Sequence, residues 1–330
     1  MPATPYFAIT TMMNWFRHST HYWGTLLVLL TVLASCRHEE KANEQPPSAE
    51  ELRLARTGHI DSTLSCRILS ANNEADRLAL DTLSAESWLL IDDATGFVIS
   101  QKNANQRMYM ASLTKIMTCL LALEHGNMGD TIIIGKGDLV TRDSRVRPDD
   151  SYTLRHLLYE MMLVSDNDAA YAVARHISGD STAFYQLMNE KAAYLGMSNT
   201  HFANPNGMPN DSNYSTAADL ARLVRYSLAD TAFAGIVRTA EMDIPLLDGR
   251  HLPCHNSNAL LDSYEGCIGV KTGFTRKAGC CLASAATRHD VTLILILLKS
   301  NSMAARFTES ATLLDYGFHV AETLRRKIHL

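Results

Sequence analysis

The chain has no CxxC and no HExxH among its 330 residues, and its seven cysteines fall at no zinc-site spacing. No zinc site is therefore expected. An excess of positive charge is also missing. Lys and Arg number 30 against 35 Asp and Glu, which gives a net charge of −5 and a pI of about 6.2. That excludes a nucleic-acid binder held by bulk electrostatics. No apolar run approaches the roughly 20 residues of a membrane-spanning helix. The run Trp23–Leu33, WGTLLVLLTVL, is too short. No internal repeat is visible.

The first 36 residues contain one Arg, no Lys and no acid. With Arg17 ahead of it, the short apolar run reads as the core of a secretory signal, whose true start is Met12 or Met13. It ends in Leu33-Ala-Ser-Cys36, which resembles a bacterial lipobox and implies a lipid on Cys36. Residues 37–85, with EEKANEQPPSAEE near their start, read as a tether. Export would permit disulfides among the remaining cysteines, but the spacing selects no pairing.

The rest has an ordinary globular composition, 46% hydrophobic and 20% charged over the whole chain. SWLLIDDATGFVISQKN reads as a hairpin with Gly96 at positive φ. ASLTKIMTCLLALEHG reads as a helix ending at Gly126. Helical patterns follow at Thr153–Leu163, Asp168–Ile177 and across STAFYQLMNEKAAYLG, then in STAADLARLVRYSL with Ser215 as its N-cap. Strands return in GCIGVKTGFT, AGCCLASAAT and VTLILILLK, and a last helix spans Met303–Tyr316. The expected fold is α+β: one antiparallel sheet built from both chain ends, covered by helices, with a helical subdomain of about 127–250 inserted between them. The expected limits are 1–36 for the leader, 37–85 for the tether, 86–320 for the domain and 321–330 for a tail. A cleft is expected at the seam.

Three short stretches concern that seam. Ser112 and Lys115, three apart on one helix face, can touch. A serine hydroxyl needs a base to become a nucleophile. A lysine becomes one when burial or a nearby cation lowers its pKa. One S-x-x-K is expected by chance in a chain this long. Ser165-Asp166-Asn167 lies in a joint between helices, where each type is also a natural cap. Lys271-Thr272-Gly273 puts a lysine inside an apolar strand, where it needs a partner or a function, or blunts a sheet edge. The three in this order form a specific signal.

These residues resemble the S-x-x-K, S-D-N and K-T-G motifs of penicillin-binding proteins and class A β-lactamases. The flanking ASLTKIMTCLLALE, SDNDAA, NPNGM, STAADLA, GVKTGFTRKAG and RFTESATLLDYGF resemble the low-molecular-mass D-alanyl-D-alanine carboxypeptidases, over about Trp88 to Phe318. The resemblance implies the penicillin-binding, β-lactamase-like fold and an enzyme acting on peptidoglycan stem peptides ending in D-Ala-D-Ala. β-Lactams would be its covalent inhibitors, and no metal or other cofactor would be needed. It also implies roles. Ser112 would attack, Lys115 would take its proton and Ser165 would pass a proton to the leaving amine. Asn167 would hold a substrate amide, and Lys271 would keep the potential positive. Thr272, Thr275 and Arg306 would bind the terminal carboxylate, beside Gly273. The backbone N–H groups of Ser112 and Phe274 would form the oxyanion hole.

Some positions depart from that pattern. Asp166 stands where Ala or Gly is usual and would place an acid beside the site, and Phe274 stands where Tyr or His often does. The chain ends at Leu330 without the second, β-rich domain and amphipathic anchor of many relatives, so the Cys36 lipid would hold it to a membrane, in the periplasm or at the cell surface. An endopeptidase using the same motifs, a class A β-lactamase and a non-catalytic cell-wall or β-lactam sensor remain open. The β-lactamase would need a carboxylate roughly midway between SDN and KTG to activate water; the matching region, HFANPNGMPNDSN, has no Glu, and its nearest acid is Asp211.

Overall fold

The run VTLILILLK forms the middle strand of the main sheet, and its two faces go to two cores. In this computed structural model, which describes residues 80–141 and 144–328, β9 (Val291–Ser300) buries Leu293, Leu295 and Leu297 on one side and Ile294, Ile296 and Leu298 on the other. The period of two along a strand makes that division. It also explains the absence of polar residues between Leu293 and Leu298.

The other strands are β1 (Ser87–Asp92), β2 (Val98–Lys102), β7 (Cys267–Thr275) and β8 (Gly279–Arg288). Their order is β2-β1-β9-β8-β7 and every pair is antiparallel. The β1–β9 pairing, Leu90 opposite Leu295, joins the two chain ends, as the sequence pattern requires. Strand β7, which carries Lys271-Thr272-Gly273, is an edge.

Between β2 and β7 runs a mostly helical stretch. It contains α1 (Thr114–His125), α2 (Leu154–Leu163), α3 (Asn167–Ser178), α4 (Ser181–Tyr194), α5 (Ala217–Leu228), α6 (Thr231–Arg238) and the one-turn α7 (Leu260–Ser263). It is not purely helical. Two small hairpins interrupt it, β3–β4 (Thr131–Ile133, Ser151–Thr153) and β5–β6 (Glu241–Pro245, His251–His255). Helices α1 to α6 and one sheet face share a large core, and α8 (Met303–Ile328) packs the other face with Leu313, Leu314 and Val320.

Three expectations need correction. The stretch read as tether is ordered before residue 86: Leu80 and Ala85 are buried against Trp88 and Leu90, and the Ser84 N–H donates to Glu309 Oε1 at 2.6 Å. The expected tail at 321–330 continues α8 to Ile328, since nothing in ETLRRKI breaks a helix. The cap of α5 is Thr216, whose hydroxyl accepts from the Asp219 N–H, while Ser215 Oγ pairs with Thr200 Oγ1 at 2.7 Å. The signal, Cys36 and Cys66 lie outside the described residues. The five described cysteines are free, and no helix among the described residues is long and apolar enough to cross a membrane.

Candidate active site

Ser112 sits in a 3₁₀ turn, Ala111–Leu113, that opens directly into α1. The turn leaves Ser112 half-buried at the seam and puts Lys115 in the first turn of α1, wholly enclosed. The Lys115 amine makes three hydrogen bonds to three segments. It lies 3.1 Å from Ser112 Oγ, 2.8 Å from Asn167 Oδ1 and 2.7 Å from the backbone carbonyl of Asn206. Burial pulls its pKa down to about 7, against the opposing pull of the Asp166 and Asp168 carboxylates.

The Ser-Asp-Asn joint serves structure and site together. Ser165 takes the left-handed conformation, φ 66°, a strained choice for a serine that costs about 1–3 kcal/mol. The chain thereby turns between α2 and α3. Asp166 then caps α3, accepting from the N–H groups of Asp168 and Ala169. It also accepts from the Ser144 hydroxyl and the Arg145 N–H. The extra acid expected beside the site is therefore a cap holding a neighbouring loop, and it acts on Lys115 only as a nearby charge. Asn167, one residue on, aims its carbonyl at the amine. The Ser165 hydroxyl, half-exposed, makes no hydrogen bond among the described residues.

The opposite wall is β7. Lys271 is 1% exposed, and its amine has no hydrogen-bond partner among the described residues. Its pKa is driven well down, first by burial and then by the charges of Lys115 and Arg306. Arg306, on α8, is also buried and donates to the Gly273 carbonyl at 3.3 Å. Three cationic groups thus converge without a described acid among their hydrogen-bond partners. Thr272 is 5% exposed and its Oγ1 lies 2.7 Å from Ser257 Oγ. Thr275 Oγ1 accepts from the Ala278 N–H in the β7–β8 turn. Phe274 stands 48% exposed at the rim.

Two glycines let the walls close on Ser112. A Cβ on Gly273 would lie 3.2 Å from the Ser112 nitrogen. Gly207 is tighter: at φ 88°, a Cβ would collide with the Ala111 carbonyl and stand 2.9 Å from the Ser112 nitrogen. The loop around it is pinned to α1 by Thr118, whose hydroxyl donates to the Pro205 carbonyl at 2.6 Å, and is braced internally by Asn204, which bonds both Gly207 and Met208. Gly207→Ala should destabilise the protein by about 2–5 kcal/mol, from left-handed strain plus the clash. Thermal melting of the purified variant, followed with its rate of penicillin acylation, checks this; an unchanged melting temperature would contradict it.

Asn206, Gly207 and Ser257 carried no assignment in the sequence reading. Asn206 acts through a backbone carbonyl, which side-chain chemistry cannot advertise. The nearest acid between the second and third motifs, Asp211, is 80% exposed and is bonded to the Tyr109 hydroxyl at 2.7 Å and the Lys277 amine at 2.6 Å. It is committed at the rim, with no bond to Ser112 or Lys115.

A family model described as D-alanyl-D-alanine carboxypeptidase, peptidase S11, matches residues 56–302. The chain belongs to this family. Among S11 relatives it is 33% identical over 246 residues to the D-alanyl-D-alanine carboxypeptidase DacF of Bacillus subtilis, covering 72% of this chain and 63% of DacF. It therefore spans less than two thirds of DacF. It is 34% identical over 260 residues to the D-alanyl-D-alanine carboxypeptidase of Streptomyces sp. strain K15, covering 72% of this chain and 88% of that one. The crystal structure of the Streptomyces K15 DD-transpeptidase superposes with a TM-score of 0.69 at 33% identity, over 72% of this chain and 98% of that one. The S11 fold is thus the α+β architecture described above.

Proposed function

We propose that this S11 protein is a serine D-alanyl-D-alanine carboxypeptidase, removing the last D-Ala of peptidoglycan stem peptides through an acyl-enzyme on Ser112. The bonding of the buried Lys115 amine carries the reading. Asn167 Oδ1 and the Asn206 carbonyl can only accept hydrogen bonds. A neutral amine has two N–H groups and one lone pair. With both N–H groups committed to those oxygens, the lone pair faces the Ser112 hydroxyl at 3.1 Å. The Ser112 proton then passes to Nζ as Oγ attacks the carbonyl between the two D-alanines.

Negative charge builds on the carbonyl oxygen beside the backbone N–H groups of Ser112 and Phe274. As the C–N bond breaks, the departing amine receives a proton from Lys115 by way of the Ser165 hydroxyl. Water attacks the ester next, Lys115 taking its proton and passing it to Ser112 Oγ as the C–O bond breaks, and the shortened peptide leaves with the enzyme restored. A β-lactam acylates the same oxygen, but its leaving group stays tethered after ring opening. With no acid bonded at Ser112 to activate water, that adduct persists.

The terminal carboxylate of the substrate supplies the counter-charge that Lys271 and Arg306 lack, with Thr272 and Thr275 as hydroxyl donors and Gly273 giving room. Phe274 contributes an apolar rim. The leader and the Cys36 lipid fit a substrate outside the cytoplasmic membrane, so we place the protein in the periplasm or at the cell surface, held to a membrane by that lipid.

Incubation with a pentapeptide ending in D-Ala-D-Ala should release free D-alanine. Failure on that peptide, with cleavage of crosslinked dimers instead, would reassign the protein as an endopeptidase; failure on both would overturn the reading. The pH dependence follows from Lys115. The attack needs its neutral form, so the acylation rate should rise through about pH 7 and level off above it, falling roughly tenfold per unit below. Stopped-flow acylation by a chromogenic β-lactam across pH 5–9 measures it.

A further inference from the structure

Resting on the carboxypeptidase reading, we infer that Ser257 is a specificity-determining residue, whose hydroxyl orients the Thr272 proton toward the substrate's terminal carboxylate. Ser257 comes from a fourth segment, between β6 and α7. Its two neighbours are buried asparagines that fix the backbone. Asn256 is 5% exposed and bonds Ala240 and Thr239 through its backbone N–H and side-chain amide. Asn258 is fully buried, its N–H donating to Asn256 Oδ1 at 3.0 Å. The alternation buried, exposed, buried leaves only Ser257 facing outward. Its own N–H donates to the Leu163 carbonyl at 2.9 Å, two residues before Ser165. One serine thus ties the Ser-Asp-Asn joint to the Lys-Thr-Gly strand.

Its hydroxyl lies 2.7 Å from that of Thr272. Two hydroxyls sharing one hydrogen bond must divide the roles of donor and acceptor. A carboxylate accepts only, so Thr272 has to donate to it. Thr272 can do so only if its oxygen accepts from Ser257. The chain of donors then runs Ser257 to Thr272 to carboxylate, and each bond polarises the next. Without Ser257 the Thr272 proton has no fixed direction in the free enzyme, and its oxygen, nearly buried, loses its donor.

The test compares a stem-peptide mimic ending in D-Ala-D-Ala with its C-terminal carboxamide. In Ser257→Ala, kcat/KM for the acid should fall about tenfold, mainly through KM, with the carboxamide changed less than twofold. Ser257→Thr should restore the acid preference, and Ser257→Ala should add nothing in a Thr272→Ala background. Equal loss on both peptides, no loss on either, or a full further loss in the Thr272→Ala background would overturn the relay. Normal wild-type release of D-alanine with an unaffected Ser257→Ala overturns this inference alone. A wild type that releases none overturns the carboxypeptidase reading and the relay with it.

Discussion

Ser112→Ala is expected to abolish the covalent penicillin adduct and to lower D-alanine release by about 10⁴-fold or more. Intact-mass measurement after penicillin treatment reads the first effect directly. The size follows from the absence of a substitute. Four other hydroxyls lie near the seam, and none has the Lys115 amine. Ser165 makes no bond among the described residues, Thr272 and Ser257 are bonded to each other, and Thr275 is engaged in a turn. The variant should still fold. Ser112 is half-exposed, and Lys115 keeps its bonds to Asn167 and Asn206 when the serine oxygen is gone. An adduct of full mass on the alanine variant would remove Ser112 from the reaction.

The second large effect concerns the base. Lys115→Arg should slow acylation by about 10²–10⁴-fold, although it keeps a cation at the same place. A guanidinium has no lone pair to offer at any accessible pH. It also brings a larger planar group into a site with no free space at Lys115, which is 0% exposed. Lys115→Met separates the two causes, since it removes the base while keeping a similar length and apolar stem. Both variants should lose the rise in rate through pH 7. If the arginine variant acylates within tenfold of wild type, with the same pH profile, the amine at 115 is not the proton acceptor.

The two lysines are buried for different ends. Lys115 has three acceptors around it and so is tolerated as a cation or as an amine. Lys271 has none among the described residues and sits near Lys115 and Arg306, which makes its charge costly. The influence is one-sided: the charge of Lys115 helps lower the pKa of Lys271, while that of Lys115 is lowered by burial.

Much of this was legible in residue order because it depends on local rules. The unbroken apolar run in VTLILILLK announces a strand buried on both faces, and the i, i+3 spacing of Ser112 and Lys115 puts two groups on one helix surface whatever surrounds them. The joint at Ser165–Asn167 was readable both as a cap and as a site; in the structure Asp166 caps α3 and the next residue, Asn167, accepts from the Lys115 amine. Harder to read were groups whose contribution is backbone. The Asn206 carbonyl has no residue-type signature, and Gly207 is required only because the Ala111 carbonyl happens to lie against it. Ser257 looked like any loop serine until β7 came within 2.7 Å.

The amino-acid order alone determined which elements form, which ends of the chain pair, and which hydroxyl and amine stand together, because hydrophobic period, turn chemistry and helix spacing act over a few residues. Only the tertiary structure decided that the Lys115 amine has three hydrogen-bond partners and the Lys271 amine none among the described residues. Both are lysines with the same intrinsic pKa. What separates them is the set of oxygens, supplied by segments 52 and 91 residues away, that folding brings to one amine and withholds from the other.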